Sequence, residues 1–530
     1  MGNIIPVTAY LCYDLFFTEL LHSEEVTAED VLIAYMWKAI EVHDKYNCAT
    51  EFFVEAFDEA KKLDETWHGK QKPPLFGVPF SVKSNFQMKG YDCTLGLAKY
   101  LFLPADEDCS FVSHLRSLGA VPFVYTNVPQ GLLSFVCSNA IYGTTKNPFN
   151  VERTPGGSSG GEAVLCATGG SAFGIGSDLA GSLRIPAAMC SLITLKPTEG
   201  NFAIYFCTRF SVTGSYSGAP GRGRMACSYG YFTRNIEEQK FLLKLTFGYE
   251  TYIKMVPKMV PICFNEKRFD DTTKRPLRIG YYTDDGYLPP IPACSRVVKD
   301  TVPKLEDLGH KLIPFEVPSA QKAATLFFKN IMPDQGQLVN ELYSGEPLSP
   351  YLKLFALSLR VPLWIRWLVG WMLKWISPQL STMFLAYMRN LSDLRKTQHA
   401  TDEYKEEFIK KWMALKLDAI ICPSFPVPAV PHEFPSRMSF CGFSTGIYNL
   451  LDFPAGVVPT GFVTESDDSA IEQETQWPTG NNIALKVMRE ASKNSAGLPL
   501  SIQVVGLPFQ EEECLGVMKI IEEIWSTKNK

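Results

Sequence analysis

Two serines framed by glycines limit what this chain can build: Ser158 in Gly156-Gly-Ser-Ser-Gly-Gly161, and Ser182 in Gly176-Ser-Asp-Leu-Ala-Gly-Ser-Leu-Arg184. Glycine lets backbone approach a ligand or a neighbouring segment closely, because no Cβ intervenes and positive φ is accessible. A serine in such a turn can face a row of amides, the arrangement that stabilises the oxyanion formed when a carbonyl is attacked. The hydroxyl then needs a base, since its own pKa lies far above neutrality. No histidine lies between positions 114 and 310. His22, His43, His68, His114, His310, His399 and His432 all sit outside both motifs, among mostly polar or helical neighbours, as surface or structural residues do. Lys83 is the alternative base. It follows the apolar run Val78-Pro-Phe-Ser-Val82, which carries its ammonium into the interior. A lysine becomes a base only when desolvation or nearby positive charge lowers its pKa from about 10.4.

The chain has 530 residues, 46% hydrophobic and 12% aromatic, enough for a large packed core and too apolar for disorder. A net charge of −5 without a basic stripe excludes nucleic acid as the expected partner. Fourteen cysteines without a Cys-x-x-Cys pair fit reduced residues of an intracellular protein. The start lacks the features of a signal peptide. Met1-Gly2 opens like a myristoylation site, but Pro6 stands where Ser or Thr belongs, so no lipid is expected. Tyr10 to Phe17 contains Asp14 and is too short to span a bilayer. No transmembrane helix is expected.

Thr27 reads as the N-cap of a helix with acidic residues in its first turn and Val31, Tyr35, Ala39 and Val42 on its apolar face. Strands are expected at the end of Pro74 to Lys83, at Ala120 to Tyr125, Leu277 to Tyr282, Asp418 to Cys422 and Leu500 to Val505. Residues 154–187 read as a buried helix and a loop. The charged stretch Asn265 to Pro276 is the candidate internal boundary, dividing an N-terminal part (20–265) from a C-terminal part (277–530). Strands alternating with helices point to an α/β fold with a parallel or mixed sheet. Asp402 to Lys411, with Tyr404, Phe408, Trp412 and Leu415 on one side, reads as an amphipathic surface helix.

Ser81-Val-Lys83, the Gly-Gly-Ser-Ser-Gly-Gly block and Gly-x-Asp-x-x-Gly-Ser-x-Arg, in that order and followed by Ile193-Thr-Leu-Lys-Pro197, resemble the amidase signature family of serine hydrolases. The resemblance implies that family's single-domain fold, a large twisted mixed sheet flanked by helices, and no cofactor or metal. It implies a Ser-Ser-Lys triad with Ser182 as nucleophile, Ser158 as bridging serine and Lys83 as base. The amides of Leu179, Ala180, Gly181 and Ser182 would form the oxyanion hole, supported by Ser159, Asp178 and Arg184. Cys48 to Phe52, Gly119 to Gln130, Cys137 to Asn139, Tyr448 to Pro459 and Gly497 to Pro499 are similar to one branch, the fatty acid amide hydrolases of animals. That branch implies hydrolysis of N-acylethanolamines and primary fatty amides, and of esters as well, by a membrane-associated homodimer. Two departures stand out. Ser84 takes a place that commonly carries an acid, and Ala180 replaces a glycine. If that position needs positive φ, alanine costs about 1–2 kcal/mol.

Between Pro362 and Pro378 the tryptophans Trp364, Trp367, Trp371 and Trp375 fall on one face of a helix at 100° per residue, with Arg366 and Lys374 away from its centre. The prolines limit that helix to about 15 residues, roughly 22 Å, too short to cross a membrane. Tryptophan belongs at the headgroup boundary, and Arg or Lys stems can reach phosphates from there. An interfacial anchor fits, as does a core helix or a dimer interface. The resemblance favours the first: a helical membrane cap at about 361–388, paired with the apolar run through Met383, Phe384, Leu385 and Tyr387, on the cytoplasmic side of an internal membrane. Two rivals stay open, a soluble short-chain amidase or esterase and a lipid-binding relative weakened by Ala180.

Overall fold

A capping box starts the first long helix, α1 (Ala28–Tyr46): Thr27 Oγ1 accepts the Asp30 amide, and the Asp30 side chain accepts the Thr27 amide. Val31, Tyr35, Ala39 and Val42 form its buried face, as the periodicity predicts. The structure, a computed structural model, describes residues 17–526 apart from 203, 204, 207, 212, 222 and 223. The expectations for Met1 to Pro6 and for most of the segment from Tyr10 lie outside the described residues.

Among the described residues eleven strands make one mixed sheet. They are β1 (Ala49–Phe52), β2 (Pro79–Lys83), β3 (Val121–Thr126), β4 (Phe173–Asp178), β5 (Ile193–Lys196), β6 (Ser228–Thr233), β7 (Arg278–Tyr281), β8 (Lys311–Pro314), β9 (Ala419–Pro423), β10 (Ala455–Phe462) and β11 (Pro499–Val505). Their order in space is β1-β3-β2-β4-β6-β5-β10-β11-β9-β7-β8. Strands before residue 265 fill one half and strands after 277 the other. The halves join where β5 pairs antiparallel with β10, Leu195 opposite Gly456. The charged stretch between them carries a short helix, α4 (Glu266–Lys274), that packs back onto the C-terminal helix through Phe269 and Thr272, so the large sheet and its main core run through both halves.

Residues 154–187, read from the sequence as a helix and a loop, contain α2 (Gly160–Ala167), strand β4 and α3 (Arg184–Met189). Their small residues are those of a central strand under close packing rather than of a loop. A Cβ on Gly174 would lie 2.0 Å from Glu162 Oε2, so α2 rests directly on β4. The amphipathic reading near Asp402 holds within α9 (Leu391–Leu415), where Tyr404, Phe408 and Trp412 are fully buried.

Helices α5 (Ala320–Ile331), α6 (Lys353–Arg360), α7 (Leu363–Leu373) and α8 (Pro378–Leu385) form a helical cap beside the sheet. The single helix of about 15 residues expected here is shorter: α7 has 11. The residue before a proline is pushed out of the helical region. Ser377 accordingly takes φ −149°, and its amide closes a turn onto the Leu373 carbonyl at 2.7 Å before Pro378 opens α8. The two helices meet at Gly370, whose carbonyl accepts the Ser381 hydroxyl at 2.7 Å. A Cβ there would lie 2.8 Å from Leu385. This contact turns the other edge of α7 outward. Trp364, Trp367 and Trp371 are 69%, 48% and 58% exposed, and Trp375, in the turn beyond α7, is 85% exposed. The stripe is therefore not part of this chain's own core. Arg366 also departs from expectation. Its guanidinium turns inward to the carbonyls of Leu359, Val361 (2.9 Å) and Gln335 (3.1 Å), where it caps the end of α6. Among the described residues no single helix is long and apolar enough to cross a membrane; α6 and α7 together have the length and composition but are bent by 109°.

Candidate active site

Lys83 ends β2, and the parallel register Val82 to Ile175 sets it beside the end of β4. Ser158 lies just before α2, on the C-terminal side of a cis Gly157–Ser158 peptide. The Lys83 Nζ donates to Ser158 Oγ at 2.8 Å and to Ser177 Oγ at 2.9 Å. Lys83 has no solvent exposure. Burial pushes its ammonium down to about 8, against the pull of Cys227, Asp178, Cys137 and Glu162. Glu162, equally buried in the first turn of α2, accepts the hydroxyls of Ser81 and Thr126, both at 2.6 Å. Burial raises its carboxyl to about 8 against those two bonds and the Lys83 charge. The carboxyl thereby ties β2, β3 and α2 together behind the lysine.

The turn from β4 into α3 is held by a buried ion pair. Arg184 donates to both Asp178 oxygens, Nε to Oδ2 at 3.0 Å and Nη2 to Oδ1 at 2.9 Å. Burial alone would raise the Asp178 carboxyl, but the Arg184 charge, its hydrogen bonds, Lys196 and Asn449 hold it far below the usual carboxylate range. The other arms of Arg184 reach the Thr445 carbonyl (2.9 Å), Gln503 Oε1 (2.7 Å) and Asn449 Oδ1 (2.6 Å). Thr445 and Asn449 belong to α10 (Phe443–Leu451) and Gln503 to β11, so the C-terminal half clamps this turn.

Four amides were expected to face the oxyanion. That of Gly181 instead donates to Asp178 Oδ1 at 2.7 Å, a tight Asp-turn contact. The amides of Leu179, Ala180 and Ser182 have no acceptor among the hydrogen bonds of the described residues. Positive φ falls on Gly181 (119°), where a Cβ would lie 2.3 Å from Thr445 Oγ1. Ala180 is not among the residues with left-handed backbone, so alanine carries no positive-φ strain there. The structure thus joins Lys83 to Ser158 and sets Ser182 on the same turn as the three amides. Among the described residues it shows no hydrogen bond from the Ser182 hydroxyl. Ser159 precedes α2 with its hydroxyl buried and without a hydrogen-bond partner among the described residues.

Ser182, Leu179, Ala180 and Gly157 are part of the lining of a cavity of about 520 Å³. Its walls also include Phe327 and Phe355, and Leu380, Met383, Phe384 and Tyr387 in and just after α8. No histidine lines it. His114 is buried elsewhere, stacked on Tyr252 with ring centroids 4.2 Å apart. Chemically, the site offers a desolvated amine on a serine hydroxyl, a second serine beside free amides, and an apolar chamber. Sequence reasoning missed Ser177, Glu162, Thr445, Asn449 and Gln503. Ser177 lies inside the Gly176 to Arg184 motif, but at a place any residue can fill, and Asn449 lies in a stretch read only as a likeness to the animal branch; the remaining contacts depend on strand register and on residues far apart in the chain.

The chain matches the family model described as Amidase over residues 30–515. It is 37% identical over 509 residues to Fatty-acid amide hydrolase 1 of Sus scrofa, covering 95% of this chain and 84% of the relative. It is 35% identical over 505 residues to Fatty acid amide hydrolase 1 of Caenorhabditis elegans, covering 95% and 86%. A solved structure titled Fatty acid amide hydrolase superposes with a TM-score of 0.79 at 25% identity, over 99% of this chain and 86% of that one.

Proposed function

The chain belongs to the amidase signature family and is a hydrolase acting on amides, similar to the fatty acid amide hydrolases; on that premise we propose that it cleaves long-chain fatty acid amides through an acyl-enzyme on Ser182. The observation that carries this reading is the buried Lys83–Ser158 hydrogen bond beside a turn whose Ser182 lines an apolar cavity shared with the cap. Neutral Lys83 takes the proton of Ser158, Ser158 takes that of Ser182, and Ser182 Oγ attacks the acyl carbonyl. Catalytic hydrogen bonds often close only in the substrate complex, which is where Ser158 and Ser182 would meet. The amides of Leu179, Ala180 and Ser182 receive the oxyanion, while Gly181 stays with Asp178. As the C–N bond breaks, the proton returns through Ser158 to the leaving nitrogen. Water then attacks the acyl-enzyme by the same relay. Early protonation of nitrogen suits amides; an ester's alkoxide needs less help, so ester cleavage accompanies this activity.

In the same reading the outward face of α7 and the turn at Trp375 lie at the headgroup boundary of a membrane. The acyl chain enters sideways past Phe384 and Met383 without crossing water. Likeness to the animal relatives carries the further expectation of a homodimer on an intracellular membrane. Turnover on matched primary amides of short and long acyl chains tests the substrate class. A higher kcat/KM on the long chains is expected, and preference for the short ones would overturn it.

A further inference from the structure

A neutral lysine amine has two N–H bonds and one lone pair, and only the lone pair makes it a base. Hydrogen bonds at 2.8 Å to Ser158 and 2.9 Å to Ser177 occupy two of the directions around Lys83 Nζ. If an N–H points at Ser158, that hydroxyl is an acceptor and no proton leaves it. We propose that Ser177 is a positioning residue for Lys83: its Oγ accepts an N–H of the neutral amine and so leaves the lone pair aimed at Ser158. This rests on the reading of Lys83 as the base.

Several observations support the assignment. Ser177 lies on β4 and is nearly fully buried. Its backbone is fixed from one side by antiparallel pairing with Tyr229 on β6. On the other side the parallel register of β2 and β4 sets Lys83 against it. The hydroxyl is thus a fixed acceptor on a rigid element, placed as the group that orients a catalytic base must be. The oxygen also accepts from the protonated amine, and a bond to a charged donor is the stronger one. Ser177 therefore favours the ammonium slightly while directing the free base. Its removal has two opposite effects: more of the lysine is neutral at a given pH, yet less of it points at Ser158. The other titratable groups around Lys83 are Glu162 on α2, Asp178 at the end of β4, Cys137 and Cys227, and a change at Ser177 leaves each in place.

The test is the pH dependence of kcat/KM on a long-chain primary amide and on its methyl ester, for the wild type, Ser177→Ala, Ser177→Thr and Lys83→Ala. For Ser177→Ala, amide turnover should fall about tenfold or more, as for a misdirected general base. Its acid limb should move to lower pH, and the ester should lose less. Ser177→Thr keeps the hydroxyl and should restore both rate and limb. Wild-type behaviour of Ser177→Ala, or equal losses on amide and ester with an unmoved limb, overturns the assignment. Lys83→Ala separates the two claims. If it keeps amide turnover and the acid limb, the lysine-base reading fails and this inference with it. If it loses both while Ser177→Ala matches the wild type, only the role of Ser177 is overturned.

Discussion

Thr445 Oγ1 donates a 2.6 Å hydrogen bond to the carbonyl of Ala180. Its side chain also sits where a Cβ on Gly181 would have to go. One hydroxyl from the C-terminal half therefore fixes the turn that carries Ser182. Thr445→Val keeps the shape and leaves the Ala180 carbonyl unpaired, a cost of about 1–3 kcal/mol. Steady-state kinetics should show kcat lowered by roughly 10- to 100-fold with little change in KM, in line with displaced oxyanion donors, and Thr445→Ser should recover most of it.

Ala180 stands where the resemblance to the family expects a glycine. Its backbone is outside the left-handed region, and the glycine that is needed stands one residue later. Ala180→Gly should therefore leave kcat/KM within about twofold, since glycine only adds backbone freedom worth about 0.5–1 kcal/mol. A gain of a hundredfold would show that alanine distorts the turn.

The acid limb of the activity follows Lys83. Burial lowers its pKa from 10.5 to about 8, so at lower pH the amine is protonated and cannot act as a base. Amide kcat/KM should rise about tenfold per pH unit up to that value and then level off. Initial rates across that range check this. A limb at the ordinary lysine value would mean that the amine is solvated during turnover.

Four tryptophans stand outward on the cap. Each aromatic side chain taken out of water contributes about 1.5–3 kcal/mol, and about 1.4 kcal/mol is tenfold in binding. Replacing Trp367 and Trp371 by serine should weaken binding to phosphatidylcholine vesicles by roughly 100-fold or more. Flotation should show this while turnover of a detergent-dispersed amide persists. Unchanged flotation would assign the face to protein contact instead.

The parts legible in the sequence are local. A capping box needs only Thr27 to Asp30, and a glycine-framed serine needs only its neighbours. The strands at Val121–Thr126 and Ala419–Pro423 are largely apolar runs between turn signals, and Pro499–Val505 alternates Leu500, Ile502 and Val504 with Ser501 and Gln503. Strand β4 was hidden because Gly174 and Gly176 remove the apolar pattern on the face where α2 packs. Ser177 carries no signal of its own, since its meaning comes from the register between β2 and β4. The clamp of Thr445, Asn449 and Gln503 on Asp178 and Arg184 spans more than 250 residues and leaves no periodicity to read. The break after Leu373 follows from Pro378, but the inward turn of Arg366 depends on carbonyls left open at the end of α6.

Ser182 is the residue that the proposed mechanism acylates through Lys83 and Ser158. Intact-mass analysis after brief mixing with a long-chain amide, followed by peptide mapping, tests it most directly. The expected result is one acyl group on the peptide containing Ser182, absent from Ser182→Ala and formed far more slowly in Lys83→Ala. An acyl group on another residue, or acylation of Ser182→Ala at the wild-type rate, would contradict it.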